Sequence, residues 1–220
     1  MTDYVTLRTR IIDELANDGA LTTAQVNYAI HDAIKHYERR NWWWNQKTGT
    51  LTTVASQEYY SSTDLADIPD IVQIISATIT YNGIISPLRA LDYLTIDDAQ
   101  DGITETVPTN FAVFKENIRL FPIPDGAYPI TLSYVYRLTA LADDTDSNAW
   151  TTDAEELIRQ SAKRRIALNY FHVEDVAARC GVMEQEAFDA LMAENRRRSP
   201  NTLLRAPAML GGAQFNIITG

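Results

Sequence analysis

The sequence predicts an α+β fold in which two pairs of amphipathic helices flank an inserted β region and an extended arm closes the chain. Two observations predict it. Apolar residues recur at helical spacing near both ends of the 220-residue chain, whereas alternating β-branched and aromatic residues fill the middle. Because each helix pair must bury an apolar face, we expect the pairs to form one four-helix bundle, from which a small sheet or sandwich projects.

The N-terminal helix pair is predicted from periodicity and from a capping signal. A first helix is expected over residues 3–17, and a second begins at Thr22, where Gln25 three residues later completes a capping-box pattern. The second helix carries apolar residues at helical spacing along one face. These are Val26, Ala29, Ile30, Ala33, Ile34 and Tyr37.

The β region is predicted from alternation and turn chemistry. Residues 75–81 alternate apolar and polar side chains, and Asn82-Gly83 follows, the dipeptide best suited to the two positive φ angles of a tight hairpin. A second alternating run covers residues 130–137.

The C-terminal helix pair follows an acidic loop. Thr152 and Glu155 suggest another capping box. Two apolar stripes mark the helices, namely Ile158, Ala162, Ile166 and Tyr170, then Val176, Cys180, Met183, Ala187 and Leu191. The predicted domains are therefore a helix pair over 1–46, a β region over 47–142, a helix pair over 143–198 and an arm over 199–220.

Composition narrows the classes of function. The formal net charge of −10 disfavours a module that grips nucleic acid, since phosphate binding needs a basic face. No apolar run approaches the roughly 20 residues that span a bilayer, so we expect no membrane partner. The N-terminus lacks signal-peptide features, and the single cysteine, Cys180, allows no internal disulfide. Both point to synthesis in a reducing cytoplasm.

Residues able to carry catalysis are few. His31 and His36 are five apart on one helix and so point to different sides, while His172 has no partner identifiable from sequence. Cys180 lies on a predicted inward face, which favours a core role. No nucleotide-binding or nucleophile motif occurs. We therefore predict no catalytic residue, no cofactor and no metal site.

A calcium site in the acidic loop is the one alternative to this prediction. Asp144, Asp146, Asn148 and Glu155 occupy positions 1, 3, 5 and 12 of a calcium-loop pattern, but Ala149 stands where the sharp turn needs glycine. The competing interpretation is that these residues solvate a turn and cap a helix.

Two features suggest contacts with other chains. Trp42, Trp43 and Trp44 cannot all enter one core, so at least one should face the β region or another chain. Residues 199–220 hold several large apolar side chains after the cluster of Arg196, Arg197 and Arg198. This segment is predicted either to be a disordered end or to dock on a partner.

The order of these features resembles the head-to-tail connector, or adaptor, proteins of tailed bacteriophages, including the tail tubular protein A type. Several stretches carry the resemblance, and together they span nearly the whole chain. They are Arg40-Asn41-Trp42-Trp43-Trp44 after the second helix, residues 51–60 with Asp64-Leu65, Pro108-Thr109-Asn110-Phe111, the proline-bounded residues 119–126, and Tyr134-Val135-Tyr136 with Leu138, Leu141 and Asp143-Asp144.

The resemblance implies a structural virion protein at the head-tail junction rather than an enzyme. It implies a homo-oligomeric ring, usually of twelve subunits, that binds the portal ring through the C-terminal arm and contacts a tail nozzle or tail-tube protein. DNA would pass through the centre without specific binding. Arg205, Phe215 and Ile217 are the expected anchors, with Arg196, Arg197 and Arg198 supplying charge.

Three other classes remain open from the sequence. A stopper or tail-tube subunit would share the virion location, although a tube protein should be mostly strand. A cellular enzyme would use the acidic loop. A cellular binding module is the third.

Overall fold

The chain divides into two compact units. The computed structural model describes residues 2–15, 21–61, 63–65, 71–99, 104–115 and 117–198. A helical unit comprises the residues up to Tyr37 and those from Ala140 onward, and a sheet unit comprises Glu38–Thr139. The predicted arm over 199–220 lies outside the described residues, and the four-part division of the chain remains a prediction.

The described residues form six α-helices and seven strands. The helices are α1 (Tyr4–Glu14), α2 (Thr23–Tyr37), α3 (Tyr93–Ala99), α4 (Ala149–Thr152), α5 (Glu155–Ile166) and α6 (Glu174–Arg198). The strands are β1 (Gln46–Thr52), β2 (Tyr59–Tyr60), β3 (Ile71–Tyr81), β4 (Ile84–Ala90), β5 (Asn110–Phe114), β6 (Asn117–Phe121) and β7 (Pro129–Tyr136). A 3₁₀ turn (Trp43–Asn45) precedes β1, and a π-helical turn (Ala167–Phe171) follows α5.

The seven strands form one curled sheet, a half-barrel, in the order β1-β7-β3-β4-β5-β6-β2. Neighbouring strands are antiparallel except for β4 and β5, which run parallel and pair at Arg89–Asn110 and Ala90–Phe111. Alternate residues of the strands point into one core, as the period of two requires. The core comprises Leu51, Tyr60, Leu65, Ala77, Ile79, Leu88, Phe111, Ile118, Leu120, Ile130, Leu132 and Tyr134.

The predicted hairpin is confirmed. β3 and β4 pair up to Tyr81–Ile84, and the two residues between them, Asn82 and Gly83, have φ angles of +49° and +76°. Two positive φ angles in a two-residue loop match the right-handed twist of the flanking strands, which is why Asn-Gly is favoured there.

The helical unit is arranged around α5. This helix packs against α1, α2 and α6, and it also contacts the short α4. The predicted four-helix bundle is wrong: the sheet dominates the fold, and the helices do not form such a bundle. An apolar stripe shows that a helix buries one face, but it does not specify which helix covers that face.

One predicted cap is confirmed and the other is wrong. At the start of α2, the Gln25 side chain accepts a hydrogen bond from the Thr22 amide at 2.9 Å, and Thr22 Oγ1 accepts one from the Gln25 amide at 3.3 Å. The Thr152–Glu155 box does not form. Asn148 instead caps α4, accepting a hydrogen bond from the Trp150 amide at 2.9 Å, and α5 begins after Ala154 without a side-chain cap.

The stripe predicted on α6 is partly wrong. Cys180 and Leu191 are buried, whereas Met183 is half exposed and its neighbour Glu184 is buried instead. Glu184 tolerates burial because Tyr37 Oη donates to it at 2.7 Å and Arg164 Nη1 at 3.1 Å. A buried carboxylate with two such donors is satisfied.

Candidate functional site

The three consecutive tryptophans form a compact aromatic cluster at the entrance to β1. The rings of Trp42 and Trp44 stack in parallel with centroids 5.1 Å apart, and the Trp43 ring meets Trp44 edge-on at 4.3 Å. The 3₁₀ turn produces this arrangement. Asn45 closes the turn, because its side chain accepts from the Trp42 amide at 2.8 Å and donates to the Arg40 carbonyl at 2.9 Å.

Burial divides the cluster. Trp42 is fully buried, and the side chains of Trp43 and Trp44 are half-buried. Tyr136 on β7 donates to the Trp44 carbonyl at 3.5 Å, which links the cluster to the sheet. The structure therefore keeps three large rings together while leaving part of their surface accessible. Their role in an interface remains a prediction.

Of the residues predicted to dock on the portal, the structure describes only the three arginines at the C-terminal end of α6. Arg196, Arg197 and Arg198 are exposed in the last turn of the helix, where cations complement the helix dipole. Arg198 also pairs with Glu194 one turn earlier, at 2.5 Å. Arg205, Phe215 and Ile217 lie outside the described residues.

The acidic loop serves the start of α1. The carbonyls of Asp146 and Asp144 accept from the amides of Tyr4 at 2.9 Å and Val5 at 3.0 Å, and the Asp144 carboxylate pairs with Arg8 at 2.8 Å. The Asp146 carboxylate turns inward and accepts from the amides of Asp143 and Ala142, which lowers the pKa of Asp146. The loop thus satisfies amides that a helix start leaves without intrahelical partners.

The remaining members of the calcium pattern also have partners. Glu155 accepts from Arg10 at 2.7 Å, and Asn148 caps α4. Across the described ranges of the chain, no group of three or more His, Cys, Asp or Glu side chains could hold a metal ion. The arrangement gives the metal alternative no geometric support.

Within the part of the chain that the structure describes, the histidines and Cys180 do not form a catalytic pair. His31 lies 3.1 Å from the Tyr4 hydroxyl, and His36 meets the Tyr37 ring edge-on. Cys180 is buried, and burial raises the pKa of its thiol. A thiol with a raised pKa is a poor nucleophile, consistent with a packing role.

The sequence did not reveal an aromatic platform, defined here as Tyr59, Tyr93, Leu94 and Phe114. The ring of Tyr93, on α3, stacks on Phe114, at the end of β5, with centroids 4.1 Å apart. The Tyr93 hydroxyl also lies 3.2 Å from that of Tyr59 on β2. Leu94 beside them is 66% exposed. Strand pairing brings these residues together from three separate segments, so no local pattern could have predicted the cluster.

A buried arginine supports the platform from beneath. Arg119, on β6, is 3% exposed and lies 4.8 Å from the ring centre of Tyr93 and 5.4 Å from that of Tyr59. Its guanidinium forms ion pairs with Glu58 and, at 3.0 Å, with Asp97. Burial, the hydrogen bond with Tyr93 and the Glu58 charge raise the pKa of Tyr59 to about 12, so the Tyr59 hydroxyl stays neutral at physiological pH.

A second exposed apolar surface is the hairpin tip, defined here as Tyr81, Ile84 and Ile85. Ile84 and Ile85 are 66% and 69% exposed on either face of β4. The sequence carried a usable signal here, because adjacent residues of a strand point to opposite faces and both isoleucines cannot enter one core. Tyr81 meets Tyr128 edge-on, with centroids 5.6 Å apart.

The chain matches the model of a known protein family. The family model described as SU10 adaptor protein matches residues 2–206. No curated protein matches the chain. Within the described residues, none of the helices has the length and apolar character required to cross a membrane.

Proposed function

Because the chain belongs to the SU10 adaptor protein family, a family of structural adaptors of phages, we propose that it joins the portal ring of the head to the tail. The observation that carries the proposal is the extent of the match, residues 2–206 of 220, which includes both compact units. The protein would reside in the virion at the head-tail junction. Its closer likeness to the tail tubular protein A type remains part of this proposal.

The adaptor would act as a ring of identical copies, with twelve as the expected number. DNA would cross the ring during genome ejection. A net charge of −10 supports this role, because an acidic wall repels phosphates and would let DNA slide without sticking.

The C-terminal segment would bind the portal. Arg196, Arg197 and Arg198 would supply charge, and Arg205, Phe215 and Ile217 would anchor the segment beyond α6. The sheet unit would face the next tail component, a nozzle or tail-tube protein. The cluster of Trp42, Trp43 and Trp44 would contribute to a subunit or domain interface, since tryptophan is enriched among residues that dominate binding.

The test is negative-stain imaging of the purified protein mixed with the portal ring encoded by the same genome. The full chain should decorate the portal as an added ring. A variant ending at Pro200 should not. Arg196→Ala with Arg197→Ala should bind more weakly than the full chain and with a weaker dependence on salt, because it lacks two of the charges that salt screens.

The outcomes separate the parts of the proposal. Decoration by the truncated variant would overturn the docking segment but leave the adaptor role in place. Failure of both forms to bind the portal, together with binding to a tail protein, would overturn the adaptor role in favour of a stopper or tail-tube subunit. The dominance of sheet in the fold makes that second candidate the one to test.

A further inference from the structure

The hairpin tip and the aromatic platform lie at opposite ends of the same sheet. β4 starts at the tip and runs away from it, and β5 continues in the same direction because the two strands pair in parallel at Arg89–Asn110. Following β4 to Ala90 and then β5 to Phe114 covers about nine residues, or roughly 30 Å along the strands. One chain therefore presents two apolar surfaces that face in different directions.

The hairpin tip projects beyond the strands beside it. β7 pairs with β3 only as far as Ile79, and β5 pairs with β4 only at Arg89 and Ala90. Among the described strands, the last residues of the hairpin therefore pair only with each other. The Asn82-Gly83 turn fixes their geometry, so the exposed isoleucines sit on a narrow and preorganised projection.

The two surfaces match in charge. No residue from Thr80 to Pro87 is charged. At the platform, the Glu58 and Asp97 carboxylates are paired with Arg119, and the Lys115 ammonium lies over the Phe114 ring, 5.3 Å from its centre. Aliphatic side chains could cover the exposed surfaces of Tyr59 and Leu94 without breaking the ion pairs of Glu58 and Asp97 with Arg119.

We infer that the hairpin tip of one copy packs on the aromatic platform of the next copy in the ring. This inference rests on the ring of the proposed function and names its subunit contact. A contact between two different surfaces of the same chain is heterologous, and its repetition closes a ring when the rotation permits. Each copy would donate a tip on one side and offer a platform on the other.

The contact is small, which suits a contact between neighbouring copies in a ring better than a contact that holds an isolated dimer together. Three half-exposed side chains at the tip offer roughly 300 Å² of apolar surface, well below the roughly 800 Å² per partner of a stable pair. The contact would therefore not hold a free dimer. In a ring held on the portal, every copy is bound on both sides, so small contacts add together.

Cysteine crosslinking on the portal complex tests this contact directly. The variant Ile84→Cys with Leu94→Cys should give a ladder of adaptor oligomers on a non-reducing gel after mild oxidation. Ile84→Cys alone and Leu94→Cys alone are the matched controls, and each should give no ladder. The buried native Cys180 can stay in place in all three variants.

A second variant tests the contact without crosslinking. Ile84→Asn with Ile85→Asn should reduce the number of copies retained per portal at least several-fold. Val182→Asn, at an equally exposed apolar position on α6, should leave that number unchanged. Circular dichroism of each variant confirms that loss of binding does not reflect unfolding.

Imaging of the same samples distinguishes the two proposals. Rings on the portal that give no ladder from the double cysteine variant would overturn the tip-to-platform contact while the adaptor function stands. A crosslink between the tip and a tail protein would also overturn it, and would assign the tip to that partner. A wild-type chain that never binds the portal would overturn the adaptor function and the contact that rests on it.

Discussion

At the scale of single residues, Arg119 is the side chain whose loss should harm the sheet unit most. It is buried, it neutralises Glu58 and Asp97, and it lies against the rings of Tyr59 and Tyr93. Arg119→Ala leaves Glu58 without its partner in a partly buried position. We expect the free energy of unfolding to fall by about 3 kcal/mol, measured by chemical denaturation.

Two further variants make this prediction specific. Arg119→Lys keeps the charge but loses the planar fork and its stacking, so it should recover only part of the loss. Arg89→Ala, an exposed arginine on β4, should change the free energy of unfolding by less than about 0.5 kcal/mol. Equal effects of the Arg119 and Arg89 substitutions would show that the buried ion pairs do not stabilise the sheet unit.

Local chemistry was predictable where one or two neighbouring residues decide it. The Asn82-Gly83 turn and the Thr22–Gln25 box were both found from short patterns. The helical spacing predicts that Met183 points inward, and the structure reverses this by exposing Met183 and burying its neighbour Glu184. The reversal depends on Tyr37 and Arg164, which lie far away in sequence, so helical periodicity could not have indicated it.

At the scale of the elements, the N-terminus of α2 depends on one side chain. Thr22 Oγ1 accepts a hydrogen bond from the Gln25 amide, and the Gln25 side-chain oxygen accepts one from the Thr22 amide. Thr22→Ala removes the first of these bonds, and we expect a loss of about 1 kcal/mol in the free energy of unfolding. Thr23→Ala, one residue later inside the helix, is the control. Thermal denaturation that shows the same loss for both variants would contradict the cap.

The elements of the sheet were only partly predictable, for a physical reason. Alternation indicates which face of a strand is buried, but strand order depends on pairing between segments distant in sequence. The parallel pairing of β4 with β5 and the two-residue strand β2 are of this kind. The residues of the aromatic platform come from β2, α3 and β5, and the pairing of the strands brings them together. Because the sequence does not indicate that pairing, it does not indicate the platform either.

At the scale of the whole molecule, the class α+β follows from the change in periodicity along the chain, whereas the arrangement of the helices does not. The four-helix bundle assumed that two helix pairs would cover each other equally. In the structure α5 is the central helix, and it buries polar residues as well as apolar ones, including Arg159 and Lys163. Those cations are held by the Glu14 carboxylate of α1, a long-range pairing that a search for apolar stripes does not detect.

Two ion-paired carboxylates of the helical unit, Glu14 and the buried Glu184, predict how the stability of the molecule depends on pH. Burial by itself would raise the pKa of Glu14, but the hydrogen bond from Lys163 and the charges of Arg159 and Lys163 outweigh it and lower that pKa. Burial likewise opposes the hydrogen bonds from Tyr37, Ser161 and Arg164 to Glu184, and the net effect again lowers the pKa. Both glutamates thus bind protons less readily in the folded chain than in the unfolded chain.

The sign of the effect follows from proton linkage. A carboxylate whose pKa is lower in the folded state contributes stability above its ordinary pKa, 4.5 for glutamate, and loses that contribution as pH falls through the folded-state pKa. We therefore expect the free energy of unfolding to be nearly constant from neutral pH down to about 5.5 and to decrease steadily below pH 4.5. Urea denaturation at a series of pH values measures this acid limb.

Substitution tests whether Glu14 and Glu184 cause the acid limb. Glu14→Gln with Glu184→Gln should lower the stability at neutral pH and also flatten the acid limb, because an amide takes up no proton. Glu186→Gln, at an exposed position on α6, should leave the limb as steep as in the wild-type chain. An unchanged slope in the double variant would locate the acid sensitivity elsewhere, for instance at Asp3, Asp64 or Asp146, whose pKa values are also lowered by hydrogen bonds.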